Sequence, residues 1–350
     1  MKSLYNRFSE FRKTTPDILE IAILDAMATS SLIAVCGNNG DLAAAQAFYE
    51  HFSELRESVL GLQNFACVEA KAAYCLITAY GNNGDLSSAK VLYDRFSELR
   101  KSAPENQEIV IEEAKATFNL VTDYGNSGDL VTAKALYDRF SELRKSMPEN
   151  QEIAIEEAKA TFNLTTYYAD SGDLAAAKAL YNHFSEIRKF APDNQELAIL
   201  EASATLNLIA EYGNSGDLAA AKTLYDRFSE LKNAASDSQE ILIDEAKATF
   251  SLIGDYGNSG DLAAAKSLYD RFAELRMSAP VNQEIAVFEA LSTFILISSY
   301  GDNGDLVAAK ELYDRFAELR KAAPDNQDIA SIEAEAKVNL IEATKTKEQK

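Results

Sequence analysis

Histidine and cysteine are scarce in this chain of 350 residues, with two of the first and three of the second. That scarcity excludes much chemistry. Zinc sites draw on clustered His and Cys ligands, and no such cluster is present in the sequence. The histidines, His51 and His183, stand where other copies of a repeated segment carry Arg95 and Arg139. This places them on the polar face of a helix, away from any catalytic or metal role. Cys36, Cys67 and Cys75 build no disulfide framework. Cys67 and Cys75 are eight residues apart on one expected helix, about 12 Å along its axis and too far to bridge. Three reduced thiols fit a reducing, cytoplasmic compartment. Basic charge is also in deficit: 34 Lys and Arg against 55 Asp and Glu give a net charge of −21. Such a surface repels phosphate backbones and anionic lipids and favours basic or neutral protein partners. No run of about 18 apolar residues occurs, and the N-terminal MKSLYNRFSEFRK lacks an apolar segment of signal-peptide length. A membrane partner is therefore not expected.

What the chain has in abundance is repetition. Gly-Asp-Leu recurs every 44 residues, its glycine at Gly40, Gly84, Gly128, Gly172, Gly216, Gly260 and Gly304. A fixed period in this range marks an array of stacked units that share a core between neighbours and present a long surface. No deep cleft has to be built, so binding is expected before catalysis, and no catalytic residue, cofactor or metal site is assigned. The boundaries follow from the period. Residues 1–25 form a partial repeat (helix B) and the start of the first helix A, 26–333 hold seven repeats, and 334–350 complete a capping helix with a polar tail.

One copy shows the local logic. Asn106 after Pro104 predicts the N-cap of a helix A, whose apolar residues Ile109, Ile111, Ala114, Phe118, Val121 and Tyr124 recur at helical spacing. Gly125-Asn126-Ser127-Gly128 is expected to break it, its glycines supplying positive φ. Asp129 then caps helix B, with Leu130, Ala133, Leu136, Tyr137, Phe140 and Leu143 inward. Lys134, Asp138, Arg139 and Glu142 are expected to face solvent, and Arg144 and Lys145 to sit at the negative helix end. The expected helices run roughly 18 and 16 residues, about 27 and 24 Å. Ala133, Tyr137, Phe140 and Tyr124 repeat almost without change, which marks them as packing elements. Met1–Phe8 matches Ala265–Phe272, so Phe8 is an eighth copy of Phe140 and the chain starts inside a repeat, open to self-association. The least regular joint is Val59-Leu60-Gly61-Leu62.

Leu120, Tyr124, Gly128-Asp129, Ala133, Tyr137 and Pro148 resemble the tetratricopeptide repeat in order and spacing. The period is longer than that family's, a larger residue such as Val121 follows the Leu, and Phe140 replaces the late Ala. Leu76-Ile77-Thr78-Ala79-Tyr80-Gly81, then Gly84-Asp85-Leu86, Ala89-Lys90 and Leu92-Tyr93-Asp94, also look like a pentatricopeptide repeat. Both resemblances imply an all-α fold, a right-handed solenoid (superhelix) of helix-turn-helix units. The first implies a non-enzymatic scaffold holding a peptide or helix in a concave groove lined by helix A. The second implies single-stranded RNA binding, one base per repeat, through a small polar residue two places before the Leu. Here that place holds Ser30, Tyr74, Phe118, Phe162, Leu206, Phe250 and Phe294, so nucleic acid is not the expected partner.

Carried over residue by residue, the groove of the first family implies a lining of Lys71, Lys115, Lys159 and Lys247 with Asn119, Asn163, Asn207 and Asn339. Lys115 and Asn119 share one helix face, as do Lys159 and Asn163, and Lys-Asn sets of this kind hold a terminal carboxylate in some members. Beside them one position varies strongly, through Ala79, Asp123, Tyr167, Glu211, Asp255 and Ser299. It is either where selectivity is written or an unconstrained surface site. Asp302-Asn303-Gly304-Asp305 lacks the later ligands of a calcium loop. Gly81-Asn82-Asn83-Gly84 lacks a following Gly-Lys-Ser/Thr, and Asp85 would repel a phosphate. Both read as turns.

Overall fold

The computed structural model describes residues 19–58, 63–191, 194–235 and 238–348; among them there are helices and turns but no strand. The Met1–Phe8 match and the Val59–Leu62 joint lie outside the described residues. The chain is an all-α solenoid of helical hairpins. By compactness it divides into two units, one of Met1–Tyr167 with Ser185–Ala191, the other of Tyr168–Phe184 with Pro192–Lys350.

Helix A is long in every copy, as in Gln63–Asn82, Gln107–Asn126 and Gln239–Ser259. In the first unit Leu19–Asn38 packs on Gln63–Asn82, which packs on Gln107–Asn126. In the second, Gln195–Ser215, Gln239–Ser259, Gln283–Asp302 and Gln327–Glu348 stack in order. The caps follow the expected chemistry. Asn106 accepts from Glu108 N–H, and Asp129 accepts from Thr132 N–H at 3.0 Å. The corner between the helices corrects the expectation for the first glycine. Gly125 stays inside helix A, and the last glycine alone turns left-handed, with φ +84° at Gly128. Asp129 N–H then reaches Tyr124 C=O at 3.0 Å, satisfying a carbonyl that the ending helix leaves unpaired.

Helix B corrects a second expectation. It is one helix only in Leu42–Ser58; elsewhere it breaks into two short pieces, as in Leu130–Tyr137 and Phe140–Ser146. At the break Arg139 N–H bonds Leu136 C=O, three residues back, at 3.0 Å. This tighter winding brings residues three apart over one another, and Tyr137 and Phe140 both turn inward, their ring centroids 6.1 Å apart. Ala133, Leu136, Tyr137, Phe140 and Leu143 are all buried. Losing one such Phe to Ala costs about 3–5 kcal/mol.

Two helices A, Glu20–Asn38 and Gln283–Asp302, have the length and mean hydropathy of a membrane span. The reason is architectural. A helix A packs against the helices A beside it and against helix B, so apolar residues surround much of its circumference.

Candidate functional site

Helix A presents one face to neighbouring helices and another to solvent, and what it does with each decides which residues remain for a ligand. Behind the exposed face lies a row of buried carboxylates. Glu113 is 1% exposed and receives Arg100 at 3.3 Å from the preceding helix B and Arg139 at 2.9 Å from the following one. Glu69 is held by Arg56 and by Arg95 at 3.1 Å, and Glu157 by Arg144 at 2.8 Å. In the second unit Lys232 and Arg271 meet at Glu245, and Arg276 and Arg315 at Glu289. These contacts overturn the solvent-facing assignment of Arg139; Arg144 lies at its helix end as expected and also reaches a buried carboxylate, and His51 is engaged on its polar face. His51 Nε2 lies 3.2 Å from Asp25, whose side chain is fully buried; His183 is half-buried in the equivalent place. The signal was legible. Glu recurs at 69, 113, 157, 201, 245, 289 and 333, each at one place in its repeat.

A second row ties five of the helices B to the next helix A. Tyr93 and Thr117 hydroxyls lie 2.7 Å apart, Tyr137 and Thr161 2.8 Å, Tyr225 and Thr249 2.8 Å. Thr117 spends its own proton on Glu113 C=O at 2.7 Å, so Tyr93 must be the donor. Burial raises the pKa of these phenols, to about 12 for Tyr181, and keeps them protonated.

On the exposed face the predicted lining residues share one surface within each unit, but most are already engaged. Asn119 Nδ2 donates to Thr78 Oγ1, Asn163 to Thr122 and Asn339 to Ser298, each at 2.8 Å. Asn207 is half-buried on the same face. Lys115 is paired with Glu112 at 3.5 Å, Lys159 with Glu156 at 3.3 Å and Lys247 with Glu284 at 3.3 Å, while Lys71 is exposed. Burial raises the pKa of Glu112. The Lys-Asn carboxylate clamp is therefore not assembled: its amides tie adjacent helices A together, and three of its lysines are neutralised in place.

The variable position is constrained as well. Five of its six side chains are seated over a helical glycine of the preceding helix A; at Glu211 the equivalent residue is Ala169. A Cβ on Gly81 would stand 2.0 Å from Asp123 Oδ2, one on Gly125 2.2 Å from the Tyr167 ring, and one on Gly213 2.1 Å from Asp255 Oδ2. Tyr167 donates to Asn126 Oδ1 at 2.8 Å. Asp123 and Asp255 gain no cation there, and burial raises their pKa. Asp255 Oδ2 is buried without a hydrogen-bond partner. Glu211 occupies the same position, half-buried.

Between these rows runs an apolar stripe. Tyr74, Phe118 and Phe162 in the first unit, and Leu206, Phe250 and Phe294 in the second, are half-buried rather than sealed into the core. The Phe250 ring lies 5.7 Å from that of Phe288. Cys67 also faces outward and donates its thiol to Glu108 at 2.7 Å; burial and that carboxylate push its pKa up to about 12, which disarms it as a nucleophile. Among the described residues no group of three or more His, Cys, Asp or Glu is arranged to hold a metal ion.

The pentatricopeptide (PPR) repeat model matches this chain at residues 74–100 and 295–320. Each match starts midway along a helix A and runs through the following helix B. The chain is a TPR/PPR-like helical repeat protein. No curated protein matches it. As a repeat protein of this kind it is a binding scaffold, and its side-chain surface, rather than its fold, has to name the ligand.

Proposed function

We propose that this repeat protein is a non-enzymatic protein-binding scaffold whose ligand, an extended segment or a helix, lies along the exposed face of helices A. The observation that carries the reading is a half-buried stripe in each unit, Phe118 and Phe162 in the first and Phe250 and Phe294 in the second, beside lysines already paired with Glu112, Glu156 and Glu284. Apolar side chains of a partner gain about 25 cal/mol per Å² of apolar surface removed from water on such a stripe. The polyanionic backbone of a nucleic acid gains little from cations that are already paired.

A second reading, single-stranded RNA binding, is favoured by the PPR repeat matches and by the rings themselves, since bases stack on aromatic side chains irrespective of sequence. Against it stand the net charge of −21 and the rings at the place a base-reading polar residue would fill. The discriminating experiment is affinity capture with the full chain, with and without nuclease, scored for protein and RNA and repeated with Phe118→Ser and Phe250→Ser. A nuclease-resistant protein lost in both variants supports the scaffold. RNA recovered without a protein, and lost with nuclease, overturns it.

A further inference from the structure

Three helices A of the second unit differ in charge from three of the first; Gln327–Glu348, also in the second unit, carries lysines of its own. In the first unit Gln63–Asn82, Gln107–Asn126 and Gln151–Asp170 carry a lysine each, at 71, 115 and 159. In the second, Gln195–Ser215, Gln239–Ser259 and Gln283–Asp302 have one basic residue between them, Lys247, bound to Glu284. Apart from the buried carboxylates of the inner row, their acidic side chains include Glu211, Asp244 and Asp255, half-buried beside Leu206, Phe250, Phe288 and Phe294. Asp244 accepts from Ser203 at 2.8 Å and has Lys247 near it, yet burial still raises its pKa. Burial raises the pKa of Asp255 too, with no cation acting on it and one oxygen unpaired. A carboxylate held against an apolar surface without a cation gains from an arriving guanidinium or ammonium through a charge-assisted hydrogen bond, and more so at reduced dielectric.

We propose that the helix A face of the second unit docks a basic segment of a partner protein, whose Arg or Lys side chains pair with Glu211, Asp244 and Asp255 while its apolar side chains lie on Leu206, Phe250 and Phe294. The argument is charge complementarity on an apolar stripe. It rests on the protein-binding reading and adds to it the sign of the ligand and the helices that receive it. A nucleic acid would bring phosphates to the same carboxylates and be repelled.

The test uses the full chain and three fluorescein-labelled probes: a short peptide of Arg, Leu and Ser, its twin with Glu for every Arg, and an oligouridylate. Anisotropy is read at low and at physiological ionic strength. The Arg peptide binds and the Glu twin does not. The triple variant Glu211→Gln, Asp244→Asn, Asp255→Asn weakens the Arg peptide by at least about tenfold, or about 1.4 kcal/mol. A control with the same loss of charge on helix B, Asp226→Asn, Asp270→Asn, Glu274→Gln, changes it by less than about twofold, as screened surface charges should. Phe250→Ser weakens the peptide too, which keeps the test alive if the triple variant unfolds. Equal weakening by both triples would reduce the binding to general attraction by an acidic chain and overturn the proposal. Binding of the Glu twin as tightly as the Arg peptide would overturn it while leaving a protein-binding face. Binding of the oligouridylate alone would overturn the protein-binding reading as well.

Discussion

Replacing Glu113 by Gln tests whether the buried carboxylates join successive repeats. The side chain is 1% exposed and bridges Arg100 at 3.3 Å and Arg139 at 2.9 Å, residues from two different helices B. At an effective dielectric near 20, opposite charges about 3 Å apart attract by about 5 kcal/mol, and desolvation of the three groups offsets most of it. The cost of the substitution is set by what it strands, namely two guanidinium groups without their carboxylate. Breaking a buried pair costs about 3–5 kcal/mol. Arg100 and Arg139 keep 28% and 29% of their side-chain surface in water, so hydration absorbs part of the loss and the lower end, about 3 kcal/mol, is expected. Glu142→Gln is the matched control. It removes a carboxylate from the same Arg139, but Glu142 is 58% exposed, and such pairs contribute about 0–1 kcal/mol. The assay is urea unfolding followed by far-ultraviolet circular dichroism. Stacked repeats need not unfold in one step, so the whole curve is compared. Glu113→Gln should lower the midpoint and flatten or split the transition as the array uncouples, while Glu142→Gln superimposes on the parent. If Glu113→Gln moves the curve no further than Glu142→Gln, the buried row does not join the repeats and the reasoning fails.

The tyrosine rungs offer an internal comparison. Tyr137→Phe should cost about 1 kcal/mol, whereas Tyr49→Phe should cost less, because the buried Tyr49 hydroxyl, near Glu69, lacks the threonine rung where Ala73 replaces that residue; Ala73→Thr should raise thermal stability, and a drop would show that the pocket is too tight for a rung. Thr165 buries an unpaired hydroxyl where other copies place Val121, Ile209 and Ile253, so Thr165→Val should stabilise by about 1–2 kcal/mol in a chemical melt. Gly254→Ala meets nothing nearer than 3.8 Å and should gain roughly 1 kcal/mol of helix propensity, while Gly125→Ala drives a Cβ into the Tyr167 ring and should lose stability unless Tyr167→Ser accompanies it. Lys178 lies over the Tyr181 ring as its equivalents lie over theirs, but it is followed four residues on by Asn182, where Lys90, Lys134, Lys222 and Lys266 find Asp94, Asp138, Asp226 and Asp270. Burial lowers its pKa, so more of its amine is free near pH 8, and trace acetylation read by peptide mass spectrometry should label it ahead of those four.

Repeat period, caps and core rings were legible because each depends on one residue and its near neighbours in sequence. Asn106 and Asp129 cap helices through backbone groups two or three residues away, and Phe140 is buried by a pattern that any helical wheel reveals. What escaped were pairings between repeats. Glu113 reads as a solvated acid on a polar-looking stretch until Arg100 and Arg139, 13 and 26 residues away, are folded onto it. Gly125 reads as part of a turn until Tyr167 of the next helix A is set over it. The helix B break escaped for another reason. Leu130–Ser146 has no Gly or Pro to announce it, and the Tyr-Phe ring pair at the break does not announce it either, since Tyr49 and Phe52 sit 5.8 Å apart in the unbroken Leu42–Ser58.

The candidate lining was half legible, and the division has a physical cause. A repeat array builds its ligand face from the same helix that joins one repeat to the next, so each exposed position of helix A is claimed either by a neighbouring helix or by a ligand. Asn119 and Asn163 are claimed by Thr78 and Thr122, and Lys115 and Lys159 by carboxylates of their own helices. The seats over glycine are shared. Asp123, Tyr167 and Asp255 each fill space left by a missing Cβ and still reach the surface. A change there alters packing and recognition together, so new specificity at a seat must fit the glycine beneath it. The aromatic stripe has no such double duty beyond its half-buried edge. Ligand identity should therefore be retuned first by charge at the seats and affinity by ring size on the stripe, the two varying along the array without breaking the rows that hold it together.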